Sequence, residues 1–252
     1  GMAFVLQPYS TVGYDVQAEF AGNGAGRTLN SFKGAGGTYR FLWGNSLRYK
    51  GFSAGVNLGY LFGKLTNSRR IEFPEQTDAY SSEFLDEISV SGWMWEFGAQ
   101  YAFEFTEPNN EGKREVSGKR LVAGVFGSGT NSFNTRTTNF VSRDNLVYDV
   151  VRDTISFSEN VNQNGQLPST LSVGLTYEEV NRLRVGIEYG RELWSQYENE
   201  ARPENLSDSW NFRFGAEYIP DNSSYNSYFK KVRYRLGGLY QLDPRTFEVG
   251  QL

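Results

Sequence analysis

The chain has 252 residues, a formal net charge of −4 and a mean hydropathy of −0.53. No run of about 18 apolar residues occurs, which excludes a transmembrane helix, and an aromatic content of 16% argues against disorder. A sequence without cysteine or histidine excludes disulfide scaffolds, thiolate metal sites and catalysis by imidazole, and one without a basic block is a poor candidate for nucleic acid. We therefore expect a folded protein that is not an enzyme and carries no metal or cofactor.

Apolar and polar residues alternate with a period of two along most of the chain, which predicts β-strands with one apolar and one polar face. The first strand is predicted over 4–20 in a single phase, with apolar residues at the even positions and Pro8 inside the strand. Eight further strands are predicted at 39–49, 52–63, 93–105, 119–128, 171–177, 183–190, 210–218 and 232–240, which makes nine strands and no helix.

One segment departs from this alternation. Ile88 and Val90 lie in the opposite phase to the strand that begins at Trp93. An extra residue in one strand shifts the phase of everything beyond it. We therefore predict a β-bulge near Ser91-Gly92 that returns both apolar side chains to the apolar face.

The connections between the predicted strands alternate in length. Short turns are predicted at 50–51 and 178–182, whereas long polar loops are predicted at 21–32, 66–82, 130–166 and 192–207. Transmembrane β-barrels have this asymmetry, with short periplasmic turns and longer extracellular loops. A soluble antiparallel sandwich or a lipocalin-like barrel also alternates apolar and polar residues and is the competing interpretation.

Three features favour the membrane barrel over the soluble fold. Several strands reach the roughly 9–11 residues that cross a bilayer, and the polar face mixes glycine with arginine and glutamate. Aromatic residues also lie near strand ends, as in interfacial girdles, at Tyr49, Trp93, Tyr177 and Tyr218. We therefore predict a single, partial transmembrane β-barrel domain over 1–252, in a Gram-negative outer membrane, with its apolar face towards lipid. Nine is an odd number, so we do not expect the chain to close alone.

The order of several short motifs resembles a divergent branch of the FadL-like family of outer-membrane barrels. The motifs are FVLQPYSTVGY at 4–14, NLGYLFG at 57–63, LPSTLSVGLTY at 167–177, RVGIEY at 184–189, and FGAEYIPD at 214–221 followed by VRYRLG at 232–237. The resemblance implies a barrel of about 14 strands plugged by an N-terminal hatch. This sequence would then be an internal fragment that lacks the hatch and the terminal strands.

The resemblance also implies a function, the passive uptake of small hydrophobic molecules such as fatty acids. In such barrels the ligand leaves sideways through a gap in the wall. Pro8 is the candidate for this lateral gate, because proline has no N–H and cannot complete a ladder hydrogen bond. The alternative is that Pro8 merely lies near a strand end.

A rival hypothesis is structural. The chain would be an accessory barrel subunit of an outer-membrane secretion, insertion or uptake complex, with other outer-membrane proteins as partners. The loop at 130–166 contains the short apolar stretches 139–141 and 147–150 and could form a surface hairpin that docks such a partner. The alternative is a solvated loop that shields the pore.

Polar residues in the inward phase are the candidate lumen residues. We expect Arg184 with Glu217, and Glu188 with Arg213, as ion pairs between neighbouring strands, because unpaired charges in a low-dielectric lumen are costly. Strand stagger can shift a partner by two residues, so Arg233 is the alternative partner of Glu217. Such pairs could stiffen the wall or form an ionic plug or polar exit path. The charge ladder comprises Arg184, Glu188, Arg213, Glu217, Arg233 and Arg235, and the other polar lumen positions are Asp15, Glu19, Glu96 and Gln100.

Overall fold

The computed structural model describes residues 1–22, 26–76, 78–108, 114–145 and 150–245. Strands make up 79% and helices 3%, and the antiparallel sheet curls around an axis into a half-barrel, which confirms the predicted fold class. The strands are β1 (Met2–Gly22), β2 (Gly26–Tyr49), β3 (Phe52–Glu72), β4 (Ser81–Pro108), β5 (Arg114–Ser128), β6 (Asn131–Asn145), β7 (Val150–Leu167), β8 (Thr170–Glu179), β9 (Leu183–Glu192), β10 (Glu198–Asn199), β11 (Ser209–Tyr218) and β12 (Tyr234–Gln241). One helical turn, α1, covers Tyr228–Lys231, and a 3-10 turn covers Trp194–Gln196.

Nine strands follow one another around the half-barrel in the order β1-β2-β3-β4-β5-β8-β9-β11-β12. This number agrees with the nine strands predicted. β6 and β7 form a hairpin that pairs with the upper part of β4, and β10 pairs with the end of β7. We call the edge with the tight turns the lower rim; at one of them, Lys50 adopts a left-handed φ of 53° between β2 and β3.

Two long strands of the wall are broken at the same level. Only residues 129–130 separate β5 from β6, and only residues 168–169 separate β7 from β8. The interruptions lie side by side, because Ser128 pairs with Thr170 while Asn131 pairs with Leu167. Pro168 suits this position, since proline cannot donate to a ladder. We call this level the break.

Below the break the outer face of the wall is apolar. β8, β9 and β11 have 10 residues each, which matches the roughly 9–11 residues that span a bilayer. We call this part the belt; it comprises residues 2–8, 39–62, 93–108, 114–128, 170–192 and 209–241. Its outward, exposed side chains include Phe41, Trp43, Val56, Leu58, Trp95, Leu175, Ile187, Phe212 and Phe214.

Above the break the same strands continue with the opposite polarity. The register of β3 on β4 runs without a shift from Phe52 opposite Tyr101 to Ile71 opposite Ser82. Residues of the same parity in each strand therefore point to the same side of the sheet in the belt and beyond it. The outer face now carries charges, such as Lys64 paired with Glu87 at 2.8 Å. We call this part the extension; it comprises residues 10–22, 26–38, 63–72, 81–92, β6 and β7.

The extension has a buried inner face. In β6, the buried residues Phe133, Thr135 and Thr137 alternate with the exposed residues Asn134 and Arg136. Near the break, side chains from three wall strands and the hairpin join into one apolar cluster, with Val90 and Tyr197 packed against it. The cluster consists of Leu42, Leu61, Met94, Phe133 and Leu167.

The polarity reversal corrects two sequence predictions. The bulge near Ser91-Gly92 is wrong, because Ile88 and Val90 point into the core of the extension and need no phase repair. The single phase over 4–20 is also wrong, because the register of β1 on β2 shifts between Pro8 and Ser10. Beyond this bulge, the even-numbered residues of β1 change faces.

The predicted long loops contain much of the extension. β1 to β4 run into the segments expected as loops at 21–32 and 66–82, and the hairpin of β6 and β7 occupies most of 130–166. Residues 147–149, part of the predicted docking segment, lie outside the described residues. No helix in the described ranges is long and apolar enough to cross a membrane.

Both edges of the described half-barrel are open. β1 pairs only with β2 and β12 only with β11 among the described residues. As the first and ninth strands of an alternating series, β1 and β12 run in the same direction. Closing the barrel with antiparallel neighbours throughout therefore requires an odd number of further strands.

Candidate functional site

A transverse row of charges crosses the inner face of the belt near the lower rim. Cross-strand pairing places the residues side by side in six successive strands of the wall. The signs alternate along the row, as expected for directly opposed residues in neighbouring strands. The row consists of Glu104, Arg120, Glu178, Arg184, Glu217 and Arg235.

The contacts within the row differ from the pairs expected. Arg184 and Glu217 are cross-strand partners, but the Arg184 guanidinium turns to the other side and donates Nη2 to Glu178 Oε1 at 2.7 Å. Glu217 accepts from Arg235 Nε at 2.7 Å and lies 3.6 Å from Arg233 Nε. The row is therefore made of separate ion-paired groups. The expected Arg184–Glu217 pair is not formed, whereas Arg233, the alternative partner, lies within ion-pair distance of Glu217.

Three members of the row were missed by sequence reasoning, namely Glu104, Arg120 and Glu178. Arg120 donates Nε and Nη2 to Glu178 Oε2, at 2.7 and 2.5 Å. Glu178 had been placed in a short turn, although it follows Tyr177 in the inward phase. Extending the strand alternation by one residue would have found it.

A second ion pair lies two inward positions above the row. Glu188 and Arg213 are directly opposed in β9 and β11, and the Arg213 guanidinium contacts the Glu188 carboxylate. Gln100 lies on the same inner wall, where an open cavity of about 780 Å³ is lined by Gln100, Glu188 and small residues such as Gly124 and Gly174. The structure thus brings Glu188 and Arg213 together, while any role of the pair beyond the wall stays a prediction.

A more buried polar cluster lies just below the break. Glu96, whose side chain is 9% exposed, accepts from Arg40 Nη1 at 2.5 Å and from Asn57 Nδ2 at 3.2 Å. The cluster joins β2, β3 and β4 across the inner face. Arg40 and Asn57 were not singled out from the sequence, although both lie in the inward phase of their strands.

Asp15 and Glu19 were expected in the lumen, but the register places them on the outer face of the extension. The bulge after Pro8 moves Tyr14 inwards, where its hydroxyl donates to Asn67 Oδ1 at 3.1 Å. Asp15 therefore points outwards and pairs with Lys33 at 3.1 Å. Glu19 shares its phase and lies 3.7 Å from Arg27.

Pro8 lies opposite Tyr39, next to the β-bulge and in the outermost described strand. Edges and bulges are the positions in a sheet that tolerate proline, since its missing N–H breaks no ladder there. This location is compatible with a gap in the wall and with a simple edge. The gate remains a prediction.

The loop between β9 and β11 folds against the broken strands. Gln196 accepts from Ser169 Oγ at 2.7 Å, and its backbone carbonyl accepts from Gln166 Nε2 at 3.1 Å. These bonds hold Tyr197 against the apolar cluster. Packed side chains therefore cover the inner face at the break.

The base of this loop is tied together by Asp208. Its carboxylate accepts from Ser195 Oγ at 2.6 Å, from Ser195 N at 3.2 Å and from Arg191 Nη2 at 3.2 Å. The hydrogen bonds from Ser195, followed by that from Arg191, hold the pKa of Asp208 below its ordinary value.

Within the described ranges, no group of three or more acidic, cysteine or histidine side chains could hold a metal ion.

Comparison with known families overturns the expected membership. The model of the family described as BamG matches residues 1–244. This is a different family from the FadL-like transporters, so the FadL-like interpretation is wrong and the expected total of about 14 strands loses its basis. No curated protein and no solved structure matches the chain.

Proposed function

The chain belongs to the BamG family, and on that premise we propose that it is an accessory, structural barrel of the outer-membrane BAM complex in a Gram-negative cell. This proposal corresponds to the structural alternative drawn from the sequence. Family membership supports it. Uptake of fatty acids loses its support, because that hypothesis came from the FadL-like resemblance.

The observation that carries the proposal is the reversal of polarity at the break. A belt with an apolar outer face suits lipid, whereas the extension has a buried inner core and a charged outer face, like a water-soluble domain. Four wall strands and a hairpin thus continue as one stiff sheet beyond the bilayer. Such a sheet can serve as a platform for other proteins.

The tip of the platform offers a contact surface. Phe140 and Phe157 are directly opposed across the hairpin, with ring centroids 6.1 Å apart. Leu85 of β4 lies opposite Phe140 on the same outer face, and Phe157 is 57% exposed. Aromatic side chains in a polar surrounding are typical anchors of protein interfaces.

The inner face argues for a structural role. The Arg40–Glu96 pair and the apolar cluster occupy it at the level of the break. These groups pack against the inner face and stiffen the wall where its outer face changes polarity. We therefore propose a structural role for this chain, with neither conduction nor catalysis.

The proposal is tested by purifying the full-length tagged protein from native outer membranes in mild detergent. We expect other outer-membrane proteins to co-purify at a stoichiometric level, and we expect the purified chain in liposomes to take up no labelled fatty acid. Purification of the chain alone, together with uptake above that of empty liposomes, would contradict the structural role.

A variant with a shortened hairpin sharpens this test. Asn139 and Ser158 are cross-strand partners, so an Asn-Gly turn can join them and remove residues 140–157 while Phe133 and Leu167 stay in the core. We expect a folded barrel that no longer retains its partners. Gln17→Arg, on the exposed outer face of β1, is the control that should retain them.

A further inference from the structure

A groove lies on the outer face of the wall at the break. Its volume is about 480 Å³ and its floor is aromatic, formed by Tyr60, Trp93 and Trp95. Tyr60 and Trp93 meet edge to face with centroids 5.2 Å apart. Trp93 is 74% exposed, so its ring is accessible from the outer face.

The broken strands create this groove. β4 pairs with β6 up to Ser91 and with β5 from Phe97 onwards, so residues 92–96 have no regular partner on that side. The Trp95 amide donates instead to Asn131 Oδ1 at 3.0 Å. The interruption between β5 and β6 at residues 129–130 thereby leaves a groove on the outer face beside Trp93 and Trp95.

The groove continues upwards into a polar one of about 570 Å³, with which it shares Ser91 and Asn134. Register places two rows of outward residues there, Ser89–Arg136–Asn162 and Ser91–Asn134–Asn164. All but Ser91 are exposed. The combined groove is therefore aromatic below and rich in hydrogen-bond donors above.

Arg136 is the charge that this groove offers to a ligand. Its Nε makes only a long hydrogen bond of 3.5 Å to Asn162 Oδ1, and no ion pair joins it to a carboxylate of the described residues. Lys64 lies on the other side of Ser89 in the same cross-strand row, paired with Glu87. An exposed guanidinium flanked by amides is suited to bidentate binding of a phosphate group.

We propose that this groove binds a lipid of the outer leaflet that carries a phosphate in its headgroup. The acyl chain lies on Trp93 and Trp95, and the phosphate is held by Arg136 with Asn134 and Asn162. The site lies where the outer face changes from apolar to charged, and tryptophan prefers this level of a membrane. The inference rests on the proposed membrane placement, but not on any partner protein.

The test uses the full chain in detergent and native mass spectrometry to count bound lipid. The probe is phosphatidic acid, and diacylglycerol with the same acyl chains is the control ligand without phosphate. We expect a defined complex with phosphatidic acid that Arg136→Gln weakens about tenfold, the value of one charge-assisted hydrogen bond. Trp93→Ala should weaken it as well.

Lys33→Gln is the matched control variant, because Lys33 is an exposed cation on the same outer face but outside the groove. Its lipid binding should equal that of the unchanged protein. Equal binding of diacylglycerol, or an Arg136→Gln variant that binds as well as the Lys33→Gln variant, would overturn the lipid site. If partner proteins still co-purify with the Arg136→Gln variant, the proposed structural role stands even when the lipid site does not. The two proposals can therefore be rejected independently of each other.

Discussion

The belt and the extension are built from the same strands, yet they bury opposite faces. In the belt, most outward side chains of β8, β9 and β11 are apolar, whereas the inward positions carry glycine or polar residues. In the extension, Ile88 and Phe133 point inwards and Lys64 and Glu87 point outwards. Both regions alternate with the same period of two, which identifies them as β-strands. Which face is apolar depends on whether that face contacts lipid, water or the protein core.

The largest expected effect concerns the core at the break. Phe133→Ala removes a 5% exposed ring from the apolar cluster and should cost about 3–5 kcal/mol, since the cavity cannot collapse fully. Phe214→Ala, on the outer face of the belt and 47% exposed, should cost clearly less. Chemical unfolding of both variants in detergent gives the comparison, and equal costs would show that the cluster is not a core.

A charge placed on each outer face should separate the two regions. Leu175→Arg lies on the outer face of the belt and should cost about 2–4 kcal/mol near the midplane of a bilayer. Gln17→Arg lies on the outer face of the extension and should change stability by less than about 0.5 kcal/mol. Unfolding in lipid vesicles measures both; a belt that tolerates arginine, in a protein that folds without detergent, would exclude the membrane assignment.

The ion pairs of the two regions should differ as well. Glu96→Ala deletes a nearly buried carboxylate and leaves Arg40 without its partner, so we expect a loss of about 2–3 kcal/mol. Asp15→Ala breaks a pair whose side chains are 61% and 60% exposed, and should cost less than about 1 kcal/mol. The same unfolding assay applies. A cost for Asp15→Ala as large as that for Glu96→Ala would argue against the outward placement of Asp15.

The smallest effect is a dependence on pH in the loop between β9 and β11. The pKa of Asp208 is lowered below 3.8 in the folded loop, so the stabilisation is complete above that pH and is lost as the pH falls through the lowered value. The protection factor of the Ser195 amide in hydrogen exchange, which corrects for the intrinsic pH dependence of the exchange rate, should therefore fall in acid. Asp208→Asn should remove this fall, and an unchanged acid dependence of the protection factor in that variant would assign it to another group.

The charged row shows how far sequence reasoning reached. The inward phase of Arg213, Glu217 and Arg235 followed from alternation within each strand, and the structure brings each of them to an opposite charge. Alternation alone could not choose between Glu217 and Glu178 as the partner of Arg184, because both are its neighbours in register. The rotamer of a long side chain settles such a choice, and it depends on contacts from both sides.

Alternation, antiparallel order and the nine strands of the wall were determined by the sequence itself, because a period of two can bury only one face of a strand and tight turns force neighbours to pair, whereas β6, β7 and β10 were not predicted. The tertiary structure alone decided where the outer face changes from apolar to charged. One bulge after Pro8 turned Asp15 and Glu19 outwards, and two aligned breaks at 129–130 and 168–169 turned a predicted loop into part of the wall. Phase is a local property of each strand, whereas the side that faces lipid, water or core depends on register with neighbours far apart in the chain.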